Sequence, residues 1–301
     1  MPELPEVETV RRQLAPHLGG QTIESITVLD PRWSEPAHPE AVADAVDGRV
    51  IERVSRRGKY LILELHEKPG SAAHRIADPA ALLPEVYLVM HLRMTGQLLL
   101  VSEDEDVADR RHLRVRMLLD DSRRVLFCDQ RRFGTGIVLL GHDALLDYFG
   151  ARLGVEPLGP DFTAEALRAL AAGRAAPVKA FLLNQERIAG VGNIYADEAL
   201  WAARINPLRE VRTLRRPQLA ALRDAVVAAL QAGIDSRGAT IDDFRHADGA
   251  WGSFQDRFAV HRREGEPCPR CGTTIRKIRA AGRGTYFCPT CQPVPRKRRP
   301  R

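Results

Sequence analysis

The sequence predicts an α+β chain of more than one domain: an opening helix with a β-sandwich, then a helical domain, then a metal-stapled hairpin. Three observations carry that expectation. Short runs rich in Val, Ile and Leu recur between about 21 and 140, the composition turns to Ala and Leu beyond 162, and four of the five cysteines stand in two pairs near the end. With 301 residues and 44% hydrophobic content the chain can bury a core for one large domain or two ordinary ones. It has no long uncharged apolar run and no cationic start followed by an apolar segment, so neither a membrane span nor a secretory signal is expected, and the cytoplasm is the default location.

The opening helix is read from the stretch MPELPEVETVRRQLAPHL. Pro5 presets φ for a first turn, Glu6 suits the positive end of the helix dipole, and Val7, Val10, Leu14 and Leu18 recur at three- and four-residue steps. Pro2 and Glu3 stand upstream of that helix, and the helix does not account for them.

The runs ITVL, YLILEL, VYLVMHL, LRVRMLL, RRVLFC and GIVLL read as strands of an all-β sandwich or barrel. The connector at 66–85 is long for a hairpin and reads as a surface loop, and the Gly- and Pro-bearing stretch 150–162 reads as an interdomain linker. Beyond it, Leu219, Leu222, Val226, Val227 and Leu230 give helical periodicity, with Pro217 suited to the first turn. GVGNIYADEALW at 190–201 sets a Gly-rich turn ahead of another helix. It lacks the third glycine and the preceding buried strand of a dinucleotide fingerprint. Two readings stay open there: a phosphate site of helix N-terminal amides with Asn193 as a donor, or tight helix packing through the glycines.

Cys268, Cys271, Cys288 and Cys291 form C-x2-C-x16-C-x2-C, the spacing of a four-thiolate structural zinc site with a hairpin between its knuckles. Cys128, in VLFC, reads as a buried free thiol. The hairpin GTTIRKIRAAGRGTYF has no acidic residue, and Arg283 lies between glycines where backbone can approach a phosphate. The net charge of +6 is concentrated in the last forty or so residues, and 1–260 sum to a net negative charge. A basic end on such a body points to a polyanion partner, DNA or RNA.

Removal of Met1 would leave Pro2 with the free α-amine. Such an amine titrates near 8, so roughly a seventh is neutral at pH 7, far more than for an unperturbed lysine. It can attack a carbon such as a sugar C1′ and form an iminium while a neighbouring carboxyl, here Glu3, handles protons.

MPELPEVETV, RRGKY at 56–60, HLRMTG at 91–96, DQRRFGTG at 129–136, LLNQERIAGVGNIYADEAL at 182–200 and the four-cysteine terminus together resemble the formamidopyrimidine-DNA glycosylase family, in order along the whole chain. The resemblance implies a β-sandwich over 1–150, a helix–two-turn–helix domain over 151–260, a zinc finger over 261–291 and a basic tail over 292–301, with one structural Zn2+. It implies a monomeric glycosylase and lyase that removes 8-oxoguanine and formamidopyrimidines from double-stranded DNA and then cuts the strand at the abasic site by β- and δ-elimination. A bacterial cytoplasmic, nucleoid-associated location goes with it.

By the same resemblance Pro2 is the Schiff-base nucleophile, Glu3 the proton donor and Glu6 a supporting carboxylate. Lys59 assists at the lesion phosphate, and Arg283 grips flanking phosphates and serves δ-elimination. His112, Arg131, Arg174, Lys179 and Asn193 match DNA contacts. Met94, Arg131 and Phe133 match the wedge that fills the gap left by a flipped base. The loop 239–258 matches the segment that closes over that base. The sequence departs from the pattern at His261, where many relatives have tyrosine, at Gln130, in the long connector and in the arginine-rich tail. Two rivals are an endonuclease VIII-like enzyme for oxidised pyrimidines, which typically begins MPEG, and a DNA-binding module without chemistry.

Overall fold

The computed structural model describes residues 1–68, 85–105, 110–240, 247 and 250–294. Most of the 66–85 connector, the centre of the 239–258 loop and the arginine-rich tail lie outside the described residues.

The opening helix α1 (Leu4–Leu18) buries Val7, Val10, Leu14 and Leu18, the stripe its spacing predicts, and Glu3 is its N-cap. Among the described residues eight strands follow in the first 140. They are β1 (Ile23–Val28), β2 (Val50–Arg57), β3 (Tyr60–His66), β4 (Val86–His91), β5 (Gly96–Val101), β6 (Leu113–Leu119), β7 (Arg124–Asp129) and β8 (Thr135–Leu140). They pair antiparallel into two four-stranded sheets, β1-β6-β7-β5 and β2-β3-β4-β8, so the expected sandwich is present. The apolar core gathers residues of both sheets with the buried face of α1, Trp33, and Val42 and Val46 of α2 (Pro39–Val46).

The sequence reading did not single out β2 and β5. Both are edge strands, and β2 (VIERVSRR) keeps only Ile51 and Val54 fully buried, so its apolar signal is thin. The helix α3 (His142–Gly150), also not anticipated, closes this region.

The helical part comprises α4 (Ala164–Ala171), α5 (Val178–Leu183), α6 (Asn193–Ala202) and α7 (Arg216–Asp235), followed by the hairpin β9 (Arg276–Ala280) and β10 (Arg283–Phe287). Pro217 lies in the first turn of α7, and Leu219, Leu222, Val226 and Leu230 are buried on it, whereas Val227 is half-buried. α6 packs on α7 and on β10.

The chain separates into two compact units at Ala151/Arg152, inside the expected linker. One further segment groups with the first unit. Arg237–Gly252 belongs with Met1–Ala151, because Glu6 accepts the Ala239 N–H at 2.7 Å and Gln13 accepts the Ala247 N–H at 3.1 Å. The hairpin belongs with the helices. No helix among the described residues is long and apolar enough to cross a membrane.

Candidate active site and zinc centre

Pro2, Glu3 and Glu6 are all buried at the start of α1, with Glu3 2% and Glu6 1% exposed. Glu6 Oε2 accepts the Glu3 N–H at 2.8 Å, which closes a capping pair, and its Oε1 accepts the Ala239 N–H at 2.7 Å. A single carboxylate thus fixes the N-terminal residues and the segment 237–240 against each other. The fit is close: Gly238 has φ +77°, and a Cβ there would lie 2.9 Å from Glu6 Cγ.

Lys59 sits in the turn joining β2 to β3 and is 6% exposed. Arg56 ties that turn to α1, donating through Nη1 to the Gly58 carbonyl at 2.8 Å and through Nε to Glu8 Oε2 at 3.2 Å. Burial alone would raise the Glu8 carboxyl, but hydrogen bonds from Arg11 and Arg12 and the charges of Arg11 and Arg56 outweigh it and hold the group down to about 2.

His91 was missed among the expected site residues, although it opens HLRMTG. It is 7% exposed, and burial, with the charges of Arg93 and Lys59, lowers its imidazole to about 3. Its Nδ1 accepts the Arg93 N–H at 2.9 Å, so the neutral ring carries its proton on Nε2. A neutral donor therefore sits beside the Lys59 charge. The available signal was a histidine at the end of a wholly apolar strand, where a charged ring could not be sustained.

The residues expected to form a wedge occupy two loops fastened by Asp129. Met94 is half-buried in a turn whose next residue, Thr95, donates its hydroxyl to Asp129 Oδ1. Asp129 also accepts the Arg131 N–H at 3.2 Å and the Gly134 N–H at 2.6 Å. Between the exposed Arg131 and Phe133, Arg132 turns away to form a two-pronged pair with Asp30 at 2.6 and 2.8 Å. Phe133 is left 51% exposed, with the Arg131 guanidinium 4.8 Å from its ring centroid. Phe133 is thus exposed, whereas Met94 is half-buried. His112 is exposed with φ 65°, and Arg174 is exposed after α4.

Lys179 has an internal position. Expected as a phosphate contact, it is fully buried: its ammonium donates to Asp197 Oδ1 at 2.6 Å, Thr285 Oγ1 at 2.8 Å and the Gly284 carbonyl at 3.3 Å. These acceptors hold the ammonium inside the fold. Asn193 begins α6 after Gly192, and its Nδ2 donates to the same Gly284 carbonyl at 3.1 Å. Both side chains therefore converge on the residue that follows the exposed Arg283.

Cys268, Cys271, Cys288 and Cys291 bring their sulfurs within 4.8 Å of one another. Four thiolates about 2.3 Å from a common centre form a tetrahedron with edges of about 3.8 Å. The observed separations are 3.9 Å for Cys268–Cys291 and 3.5 Å for Cys271–Cys288 and Cys271–Cys291. Trp201 Nε1 and the Cys291 N–H donate to sulfurs, each at 3.4 Å. The donor set and its size fit a structural zinc ion.

Comparison with known proteins agrees with this arrangement. Residues 1–136 match the formamidopyrimidine-DNA glycosylase N-terminal domain, 153–245 the H2TH domain of the same proteins, and 265–294 a zinc finger found in FPG and IleRS. The chain is 45% identical over 293 residues to the formamidopyrimidine-DNA glycosylase of Chloroflexus aurantiacus, covering 97% of this chain and 98% of the relative. It is 43% identical over 297 residues to that of Symbiobacterium thermophilum, covering 98% and 90%. Among solved structures, Lactococcus lactis Fpg bound to DNA with an oxidised pyrimidine aligns with a TM-score of 0.84 at 36% identity, and the same protein bound to abasic-site DNA with 0.85 at 35%. Each covers 97% of this chain and 100% of the other. The chain belongs to the formamidopyrimidine-DNA glycosylase family.

Proposed function

We propose that this protein excises oxidised purines, 8-oxoguanine and formamidopyrimidines, from duplex DNA and then cleaves the strand at the resulting abasic site. The observation that carries the reading is the buried Pro2–Glu3 start of α1, pinned by the two backbone hydrogen bonds of Glu6. A fixed amine beside a carboxyl is what iminium chemistry at a sugar carbon needs.

In this reading removal of Met1 frees the Pro2 amine, which attacks C1′ of the damaged nucleotide while Glu3 supplies a proton as the base departs. The iminium acidifies the neighbouring carbon, and loss of a proton there expels the 3′ phosphate by β-elimination. A second elimination with Arg283 at the phosphate releases the 5′ side. Lys59, held by the Arg56 turn and flanked by neutral His91, supplies positive charge to the lesion phosphate. Met94, Arg131 and Phe133 replace the extruded base, and His112, Arg174 and Asn193 engage the backbone. The zinc ion holds the hairpin that carries Arg283 and takes no part in bond cleavage. A cytoplasmic location, on the nucleoid, and a monomeric state suit such an enzyme.

Borohydride trapping on an 8-oxoguanine·cytosine duplex tests this, with undamaged and thymine-glycol duplexes alongside and the intact protein mass measured. A lesion-dependent adduct mapping to Pro2 is expected. Strong preference for thymine glycol would favour the oxidised-pyrimidine enzyme. Tight binding without any adduct, from protein lacking Met1 and loaded with zinc, would favour a module without chemistry.

A further inference from the structure

Arg283 has an anchoring problem that zinc alone does not solve. It is exposed at the first position of β10, in a two-stranded hairpin, and such hairpins are marginal by themselves. The nearest zinc ligand downstream, Cys288, follows five residues later. At about 3.3 Å per strand residue Cys288, and the zinc site with it, lies about 16 Å along the strand from Arg283. It fixes the base of the hairpin, not the tip.

The tip is held from the helical side by buried polar groups. Asp197 on α6 has a wholly buried side chain whose Oδ1 accepts from Lys179 at 2.6 Å, and Lys179 in turn reaches Gly284 and Thr285. Asp197 Oδ2 faces the Tyr286 N–H at 3.4 Å. Gly284, Thr285 and Tyr286, the three residues after Arg283, are therefore each tied to one cluster. That carboxylate is itself oriented. His261 Nδ1 lies 2.9 Å from Oδ2, so the ring donates there in its Nδ1–H form. The neighbouring Glu198 fastens the His261 segment to α6 by accepting the Ala259, Val260 and His261 N–H groups at 2.9 to 3.0 Å.

We propose that Asp197 and His261 are positioning residues for Arg283: the His261 to Asp197 hydrogen bond aims the carboxylate at Lys179 and the hairpin, and so sets where the guanidinium stands over the DNA. The inference rests on the reading that Arg283 acts in δ-elimination. It gives His261, which departs from the family's common tyrosine, a defined task, and it makes Lys179 a link in this relay.

The test is the partition between β- and δ-elimination products on an abasic-site duplex. Both products come from one protein sample, so the fraction folded cancels from their ratio. Asn places its Nδ2 where His Nδ1 stood, whereas Leu offers no donor, and both lose the ring contacts to Phe258 and Tyr286. His261→Leu is expected to lower the δ to β ratio about tenfold, since small misplacements of a catalytic group carry penalties of that order or more. His261→Asn should stay within about twofold of the parent protein. Asp197→Asn should lose δ product with zinc retained; if it does not fold, the His261 pair still decides. A parental ratio in His261→Leu, or equal ratios in both His261 variants, overturns the positioning role. Arg283→Ala run in parallel separates the two readings: loss of δ product there with His261→Leu unaffected overturns the positioning alone, whereas retained δ product in Arg283→Ala overturns both.

Discussion

Glu6 and Ala239 are joined by a 2.7 Å hydrogen bond across 233 residues of chain, and the other Glu6 oxygen caps the N–H of Glu3. A carboxylate can accept both, whereas a carboxamide has one oxygen and must turn an NH2 toward the second N–H. Glu6→Gln should therefore destabilise the first unit by about 1–3 kcal/mol and slow adduct formation at Pro2 more than it weakens DNA binding. Thermal unfolding and trapping rates on the same preparation check this; unchanged trapping would remove Glu6 from the supporting role.

Gly238→Ala approaches the same junction from the other side. At φ +77°, with Glu6 Cγ 2.9 Å from the added Cβ, the substitution both strains the backbone and displaces the Glu6 carboxylate. A loss of about 1–2 kcal/mol in unfolding free energy is expected, together with the trapping defect of Glu6→Gln. The double variant should lose less than the sum, because the two changes break one contact.

The contrast between these residues and the strands shows what the sequence can carry. The α1 stripe was legible because each of its residues answers to a local period, and the cysteine pairs because zinc demands a fixed spacing. β2 was not, since an edge strand needs few apolar residues. The burial of Lys179 was not legible for another reason: its surroundings depend on Asp197, Gly284 and Thr285, which lie 18, 105 and 106 positions away. Nothing local to VKAF distinguishes a lysine that meets solvent from one with no exposure. Ala239 meeting Glu6 was hidden in the same way.

Glu8 carries a pH signature. Its folded carboxyl, near 2, lies below the 4.5 of a free glutamate, so it contributes stability that is present above about 4.5 and lost as pH falls toward 2. Glu8→Gln should lower stability at pH 7 and shrink the drop between pH 5 and pH 2.5. Unfolding midpoints across that range test it, and a parallel, undiminished acid limb in the variant would assign the drop to other carboxylates. Because Arg56 joins Glu8 to the Lys59 turn, the variant should also weaken cleavage at pH 7.

Arg283 is exposed and makes a defined electrostatic prediction. If it engages one phosphate, Arg283→Ala should weaken binding to damaged and undamaged duplex alike and reduce the slope of log affinity against log salt by about one. Binding isotherms at several salt concentrations give both quantities. An unchanged slope would place Arg283 away from the phosphates and withdraw its part in δ-elimination.

Zinc removal should affect the two units differently. The first has its own core between two sheets, whereas the hairpin depends on four sulfurs within 4.8 Å of one another. In that cluster the Thr273 hydroxyl and N–H hold the Cys271 thiol down to about 6, while burial and neighbouring sulfurs push Cys291 up to about 12. Four thiolates crowded together need a cation to compensate them, and stripping the metal leaves repulsion or forces protonation. Chelation or Cys288→Ser should therefore free one zinc per chain and loosen β9 and β10, raising amide exchange there while the sandwich strands stay protected. Binding should fall, since the base of the hairpin that carries Arg283 is loosened, and readdition of zinc should restore the chelated protein but not the serine variant. Full protection of β9 and β10 in zinc-free protein would show that the Asp197 cluster holds the hairpin without the metal.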